Sequence, residues 1–295
     1  MPSQPVGRPG QSDPNEPQDG GAEPGAVPLP VLNPATSAWA EVARPVVDEA
    51  PVAPSSVERG VVAFDLDGTI LDDVSLISHV AADVLHHDFG TPPEEGRIHY
   101  LATTGMPFEA QLAQLYPAIP RERRAATART FHERKVREAY AHAGPFPEIP
   151  RVLRRLHQAR WTLVISTGAE RETADLLLER EGLRYWFDAV LGSGQGTKRE
   201  HLREFRRRFP GVPMFLVGDS RFDMEAGASV DGVRPIGRAS SLHGWTLTPD
   251  DLKRWGAVWA DYSLADLPDE LERLSRPRPP KRKRRAPAPK SRARK

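Results

Sequence analysis

The sequence predicts an α/β fold in which a parallel sheet carries a helical insertion. Short apolar runs bounded by turn residues recur at 61–65, Leu163–Ser166, Ala189–Leu191, Met214–Gly218 and Ala257–Trp259. Helical patterns separate several of them, and that alternation marks a parallel sheet with helices packed on it. A long stretch, about residues 72–147, parts the first run from the second and reads as a small helical domain.

The folded part is smaller than the chain of 295 residues. Residues 1–58 hold twelve of the thirty prolines and few large apolar side chains. Such a segment buries too little surface to offset the entropy of ordering, so it is expected to be a disordered arm. Its net charge is −6, residues 59–275 carry −4, and residues 276–295 carry +11 with no acidic residue. The overall +1 therefore hides an acidic arm, a mildly acidic core and a basic, disordered tail. There are no cysteines, which excludes disulfides, thiolate catalysis and Cys-ligated metal sites. With no apolar segment of signal-peptide length and no run of eighteen apolar residues, neither secretion nor membrane spanning is expected, and the expectation is a cytoplasmic protein.

Taken in order, the first strand launches Phe64-Asp65-Leu66-Asp67-Gly68-Thr69. Side chains alternate along a strand, so Asp65 and Asp67 lean to one side if the extended conformation persists. One carboxylate can then attack phosphorus while the other handles the proton. The insertion opens with Leu76, Ile77, Val80, Val84 and Leu85 at helical spacing. His86-His87-Asp88 follow as neighbours pointing in different directions, a polar helix end rather than a zinc site. Gly105, Pro107, Pro117 and Pro120 punctuate the next stretch, and 121–143 reads as a second, charged helix.

The later strands each deliver polar groups at their carboxyl ends, where open α/β sheets place ligands. Ser166-Thr167-Gly168 precedes a helix predicted over Glu170–Arg180, whose first N–H groups suit a phosphate. Gly192-Ser193-Gly194-Gln195-Gly196-Thr197-Lys198 is a Gly-rich loop ending in one of three lysines of the core. Gly218-Asp219-Ser220-Arg221-Phe222-Asp223 sets two carboxylates four apart, on one face of a helical turn. Singly, Asp67-Gly68 is also a hairpin turn, Ser166 and Asp219 are also helix caps, and Lys198 is also a solvated lysine. All four in order argue for a site.

In these motifs the chain resembles the haloacid dehalogenase superfamily of hydrolases, matched by Asp65-Leu66-Asp67-Gly68-Thr69, by Ser166, by Lys198, and by Gly218-Asp219 with Asp223. The resemblance covers about residues 60–272. It implies a Rossmann-like parallel sheet core, 59–71 with 148–275, and an inserted α-helical cap, 72–147, as in phosphoglycolate-phosphatase-like members. Thr103, Thr104 and Gly105 fall where a cap specificity loop is implied. Thr167 stands where many members have Asn, and Arg199 where many have Pro.

The resemblance also implies roles. Asp65 is the nucleophile, and Asp67 protonates the departing alkoxide and then activates water. Mg²⁺, held by Asp65, Asp67 through its carbonyl, and Asp219, offsets the charge of the phosphate. Ser166, Thr167 and Lys198 bind phosphate, and Asp223 either ligates the metal or orients Lys198. A carboxylate at 67 disfavours dehalogenation. With Lys135 the sole lysine of the insertion and none near Met106, a Schiff-base phosphonatase is disfavoured too. The expectation is a Mg²⁺-dependent phosphatase acting on a small phosphorylated metabolite. Its alternatives are a sugar phosphomutase, a nucleic-acid end phosphatase using weak polyanion binding by Lys281-Arg282-Lys283-Arg284-Arg285, and a non-enzymatic interaction protein. Oligomeric state is not legible.

Overall fold

The computed structural model describes residues 59–276. The expectations for the acidic arm and for the basic tail beyond residue 276 lie outside the described residues. Every residue of β1 (Gly60–Phe64) is buried. Its side chains divide by alternation: Val62 and Phe64 enter the larger apolar core, while Val61 and Ala63 enter a second one with Leu202, Phe205 and Leu216. A strand covered on both faces is the reason GVVAF reads as an unbroken apolar run.

β2 (Trp161–Ser166) and β3 (Ala189–Leu191) lie on one side of β1, and β4 (Met214–Gly218), β5 (Val233–Arg238) and β8 (Trp259–Asp261) on the other. The sheet order is β3-β2-β1-β4-β5-β8, and every pairing in it is parallel. Helices α5 (Ile149–Gln158), α6 (Arg171–Arg180), α7 (Lys198–Arg208), α8 (Arg221–Ala228), α9 (Pro249–Arg254) and α10 (Leu267–Ser275) belong to this core. Between β1 and β2 the insertion folds as α1 (Val74–Phe89), α2 (Pro93–Thr103), α3 (Phe108–Leu115) and α4 (Arg121–Arg134), the last continuing into a π-helical turn over Lys135–Ala139. Pro92, Pro107 and Pro120 stand immediately before α2, α3 and α4, and Gly90 ends α1 in the left-handed conformation. The α/β core with a helical cap is thus the architecture found. The charged helix expected over 121–143 is α4 with its π turn.

Three differences from the sequence reading have physical reasons. β5 was not expected, because Val233-Arg234-Pro235-Ile236-Gly237-Arg238 breaks the apolar pattern. The two arginines are accommodated by specific partners. Arg234 lies 4.3 Å over the Phe215 ring, Arg238 lies 3.3 Å over Phe146, and Pro235 still lends its carbonyl to Val258 N–H at 2.8 Å. β8 begins two residues later than the apolar run at Ala257, because Ala257 N–H closes the end of α9 on Leu252 while Trp259 is the first residue in register with Ile236. A short antiparallel hairpin, β6 (Ser240–Leu242) with β7 (Trp245–Leu247), was also not expected. The buried Arg97 of α2 donates to the His243 carbonyl at its turn.

The two chain connections of the cap run side by side. Asp72 N–H donates to Gly144 (2.8 Å) and Phe146 N–H to Ile70 (3.1 Å). Just beyond, Glu148 Oε1 accepts from Arg238 Nη1 (2.8 Å), Ser263 Oγ (3.1 Å) and Leu264 N–H (3.1 Å), which ties the returning connection to two strands' ends. Arg238 holds the Glu148 carboxyl below its usual range although burial opposes this. Among the described residues no helix is long and apolar enough to cross a membrane.

Glu148→Ala leaves Arg238 buried without its carboxylate. It is expected to cost about 2–4 kcal/mol of unfolding free energy in urea denaturation, against well under 1 for an exposed pair such as Lys253–Asp250.

Candidate active site

The sheet order reverses at β1. The chain moves outward from β1 to β2 and β3, then returns to place β4 on the other flank. The carboxyl ends of β1 and β4 therefore border the crevice where open α/β sheets bind ligands. Asp65 leaves β1 there and Asp219 leaves β4.

Asp65 is fixed at both oxygens. Its Oδ1 accepts from Leu66 N–H at 2.8 Å, and its Oδ2 lies 2.6 Å from Lys198 Nζ. Lys198 is the first residue of α7, a position set by the capping box of Thr197 and Glu200. Its ammonium also meets Asp223 Oδ1 at 2.5 Å. Asp223 in turn accepts at Oδ2 from Ser220 N–H (3.1 Å) and Ser220 Oγ (2.5 Å), the capping box that opens α8. Of the two roles left open for Asp223, the geometry displays the pairing with Lys198. Gly68 allows this close assembly: its φ is +69°, and a Cβ there would collide with the Asp219 carboxylate.

Charge is unbalanced at this point. Asp65, Asp219 and Asp223 are buried, and one oxygen of each lies within 4.8 Å of the others. Lys198 is the cation that the structure pairs with this cluster. Burial pushes the Asp65 carboxyl up to about 7, with Lys198 opposing and Asp223 and Asp67 adding repulsion. Burial, then Asp223 and Asp65, hold Asp219 well above the carboxylate range. Burial works against the Lys198 charge, but Asp223 and Asp65 outweigh it and hold its ammonium above the usual range. An all-oxygen donor set with surplus negative charge fits a hard cation such as Mg²⁺.

Asp67 points elsewhere. Its Oδ1 and Oδ2 accept from the Tyr140 hydroxyl at 3.0 and 2.9 Å, and Oδ2 lies 3.2 Å from Lys135 Nζ. Burial and then the Asp67 charge push the Tyr140 phenol well above its usual range, and Tyr100 of α2 is shifted likewise. The Tyr140 phenol is therefore a neutral donor to Asp67. The Asp67-Gly68 turn itself is held by Asp73, whose Oδ1 accepts from Gly68 N–H at 3.0 Å.

Ser166 is fully buried at the end of β2, its Oγ 3.0 Å from His201 Nδ1. Thr167 Oγ1 accepts from Ala169 N–H at 3.1 Å and shapes the start of the following loop. In the cap, Thr103 Oγ1 is turned to Gln111 Oε1 (2.9 Å) and His99 carbonyl (2.7 Å), and Thr104 Oγ1 to Tyr100 carbonyl (3.1 Å). Gly105 is the part of that loop that meets the core. At φ +96° it packs so closely on Ser220 that a Cβ would overlap its hydroxyl.

Asp65, Lys198, Asp219 and Asp223 lie together as the sequence leads one to expect, whereas Lys135, Tyr140, Tyr100, Asp73 and His201 were not among the expected site residues. Lys135 did carry a signal, as the one lysine of the insertion. The tyrosines carried none.

A family model described as haloacid dehalogenase-like hydrolase matches residues 62–234. A probable phosphatase, IndB, from Dickeya dadantii is 30% identical over 204 residues, 66% of this chain and 86% of the relative. A phosphoglycolate phosphatase from Vibrio cholerae is 27% identical over 178 residues, 56% of this chain and 78% of its own. The crystal structure of a predicted phosphatase from Clostridium acetobutylicum superposes with a TM-score of 0.62 at 21% identity, covering 73% of this chain and 99% of its own.

Because the Asp65 carboxyl is raised in the folded protein, the native state binds more protons than the unfolded chain between about pH 4 and pH 7, so this group's contribution to stability falls as pH rises through that window. In EDTA-treated protein, Asp65→Asn is expected to flatten the decline of Tm across that window and to melt on the order of 5 °C above wild type near pH 8. Parallel Tm profiles for the two proteins would show that Asp65 carries no such penalty.

Proposed function

Since this chain belongs to the haloacid dehalogenase-like hydrolases, we propose that it is a Mg²⁺-dependent phosphatase that hydrolyses a small phosphorylated metabolite by way of phosphoryl transfer to Asp65. The observation that carries this reading is the pair of carboxylates from one turn with opposite surroundings. Asp65 is gripped by Lys198 beside Asp219 and Asp223, whereas Asp67 is held apart by donors from the cap.

Asp65 Oδ2 forms the new bond to phosphorus as the ester P–O bond breaks, and Asp67 delivers its proton to the departing oxygen. Asp67, now a carboxylate, takes a proton from water, which attacks phosphorus and releases the phosphate from Asp65. Lys198 and the Ser166 hydroxyl bind the equatorial oxygens, where charge is spread in the transition state. Asp223 keeps the Lys198 ammonium on that line. Asp65, Asp219 and the Asp67 carbonyl would hold Mg²⁺, which would supply the positive charge that lets a carboxylate approach a phosphate dianion.

The cap supports a small substrate. Lys135 and Tyr140 reach Asp67, and the loop at Gly105 rests on Ser220, so the leaving group must fit beneath them. Relatives that carry the name phosphoglycolate phosphatase make 2-phosphoglycolate the first compound to try.

Phosphate release should be measured on a panel of small phosphomonoesters with Mg²⁺ or EDTA. Turnover is expected to require the metal and to fall by at least about a thousandfold in Asp65→Asn. Undiminished turnover in that variant would overturn the reading.

A further inference from the structure

The cap's last helix changes register at the point where it meets Asp67. In an α-helix, residues five apart sit about 140° apart around the axis, so Lys135 and Tyr140 would face different ways. Here the Tyr140 N–H donates to the Lys135 carbonyl at 2.9 Å, an i→i+5 bond that closes a π turn over Lys135–Ala139. The turn stacks the two side chains. Lys135 Nζ lies 4.6 Å from the centre of the Tyr140 ring, and both reach the same carboxylate.

The turn is anchored from the core. Arg180 of α6 donates from Nη1 to the Tyr140 carbonyl at 2.6 Å and from Nη2 to the Ala143 carbonyl. Tyr140 is 2% exposed, so its ring has no alternative seat in water. Of the two Asp67 oxygens, Oδ2 accepts from both donors and Oδ1 from the phenol alone.

We propose that Lys135 and Tyr140 are positioning residues for the reaction, and that the π turn exists to set them together on Asp67 so that its Oδ1 faces the leaving oxygen. This rests on the reading of Asp67 as proton donor. When Asp67 gives its proton to the departing oxygen, the carboxylate left behind is received by the phenol and the ammonium. The same two groups then hold it in place to take a proton from water. Because both groups come from the cap, proton delivery is available only while the cap is seated.

A group that serves proton delivery matters in proportion to how badly the leaving group needs the proton. An alkyl phosphate must leave as an alcohol, whereas p-nitrophenol leaves readily as its anion. Wild type, Tyr140→Phe, Lys135→Met, Asp67→Asn and the double variant Asp67→Asn/Tyr140→Phe should be compared on an alkyl phosphomonoester and on p-nitrophenyl phosphate, with Mg²⁺. Tyr140→Phe and Lys135→Met are expected to lower kcat on the alkyl ester by at least about tenfold and on the aryl ester by less than about threefold. Asp67→Asn should show the same selectivity more strongly, and Tyr140→Phe should add nothing to it. Equal losses on the two esters for both single cap variants, no loss, or a loss that multiplies with that of Asp67→Asn would overturn the proposal. If Asp67→Asn itself loses equally on both esters, the proton-donor reading falls and takes the proposal with it. If Asp67→Asn is selective and the cap variants are not, the proposal alone falls.

Discussion

One ammonium among buried carboxylates is the constraint on which this structure depends. Lys198 sits 2.6 Å from Asp65 and 2.5 Å from Asp223, with Asp219 beside them, all in a crevice that water barely reaches. Such an arrangement costs stability in isolation, since burial penalises each charge and the carboxylates repel one another. In the proposed reading the surplus negative charge would receive a hard cation, and that cation with Lys198 would receive phosphate. The surrounding elements serve to hold the groups there: capping boxes at Thr197 and Ser220 fix where α7 and α8 begin, and Gly68 leaves room for Asp219.

The cap supplies what the core lacks. In the proposed reading the core brings nucleophile, phosphate binders and metal ligands to one point, and the cap holds the acid–base carboxylate Asp67. Its donors are Lys135 and Tyr140, carried by a helix that departs from α geometry to present them. Dividing a site between core and cap, joined by the paired connections at 70–72 and 144–146, makes its completion depend on how the cap is seated.

Much of this was legible in the sequence because local rules carried it. β3 and β4 have the bounds read from apolar runs, since buried parallel strands must be apolar throughout. Asp65, Lys198, Asp219 and Asp223 were legible because each lies directly after a strand or at a helix start. β5 was not, since its arginines are satisfied by Phe215, Phe146 and Glu148, partners distant in sequence. Tyr140 was hidden for a different reason: 73 residues separate it from Asp67, and a helical pattern read at the α period sends it to another face than Lys135. His201 lies 35 residues from Ser166, and only tertiary folding brings them together.

The central claim is that phosphoryl transfer passes through Asp65. It is tested most directly by mixing Asp67→Asn enzyme with p-nitrophenyl phosphate and Mg²⁺, following phenolate release, and mapping phosphate on the acid-quenched protein by mass spectrometry. The aryl ester needs no proton to leave, whereas the second step needs the missing base. The account predicts a burst approaching one phenolate per enzyme, with the phosphoryl group on the peptide containing Asp65. A linear release with unmodified protein, or phosphate on another residue, would contradict it.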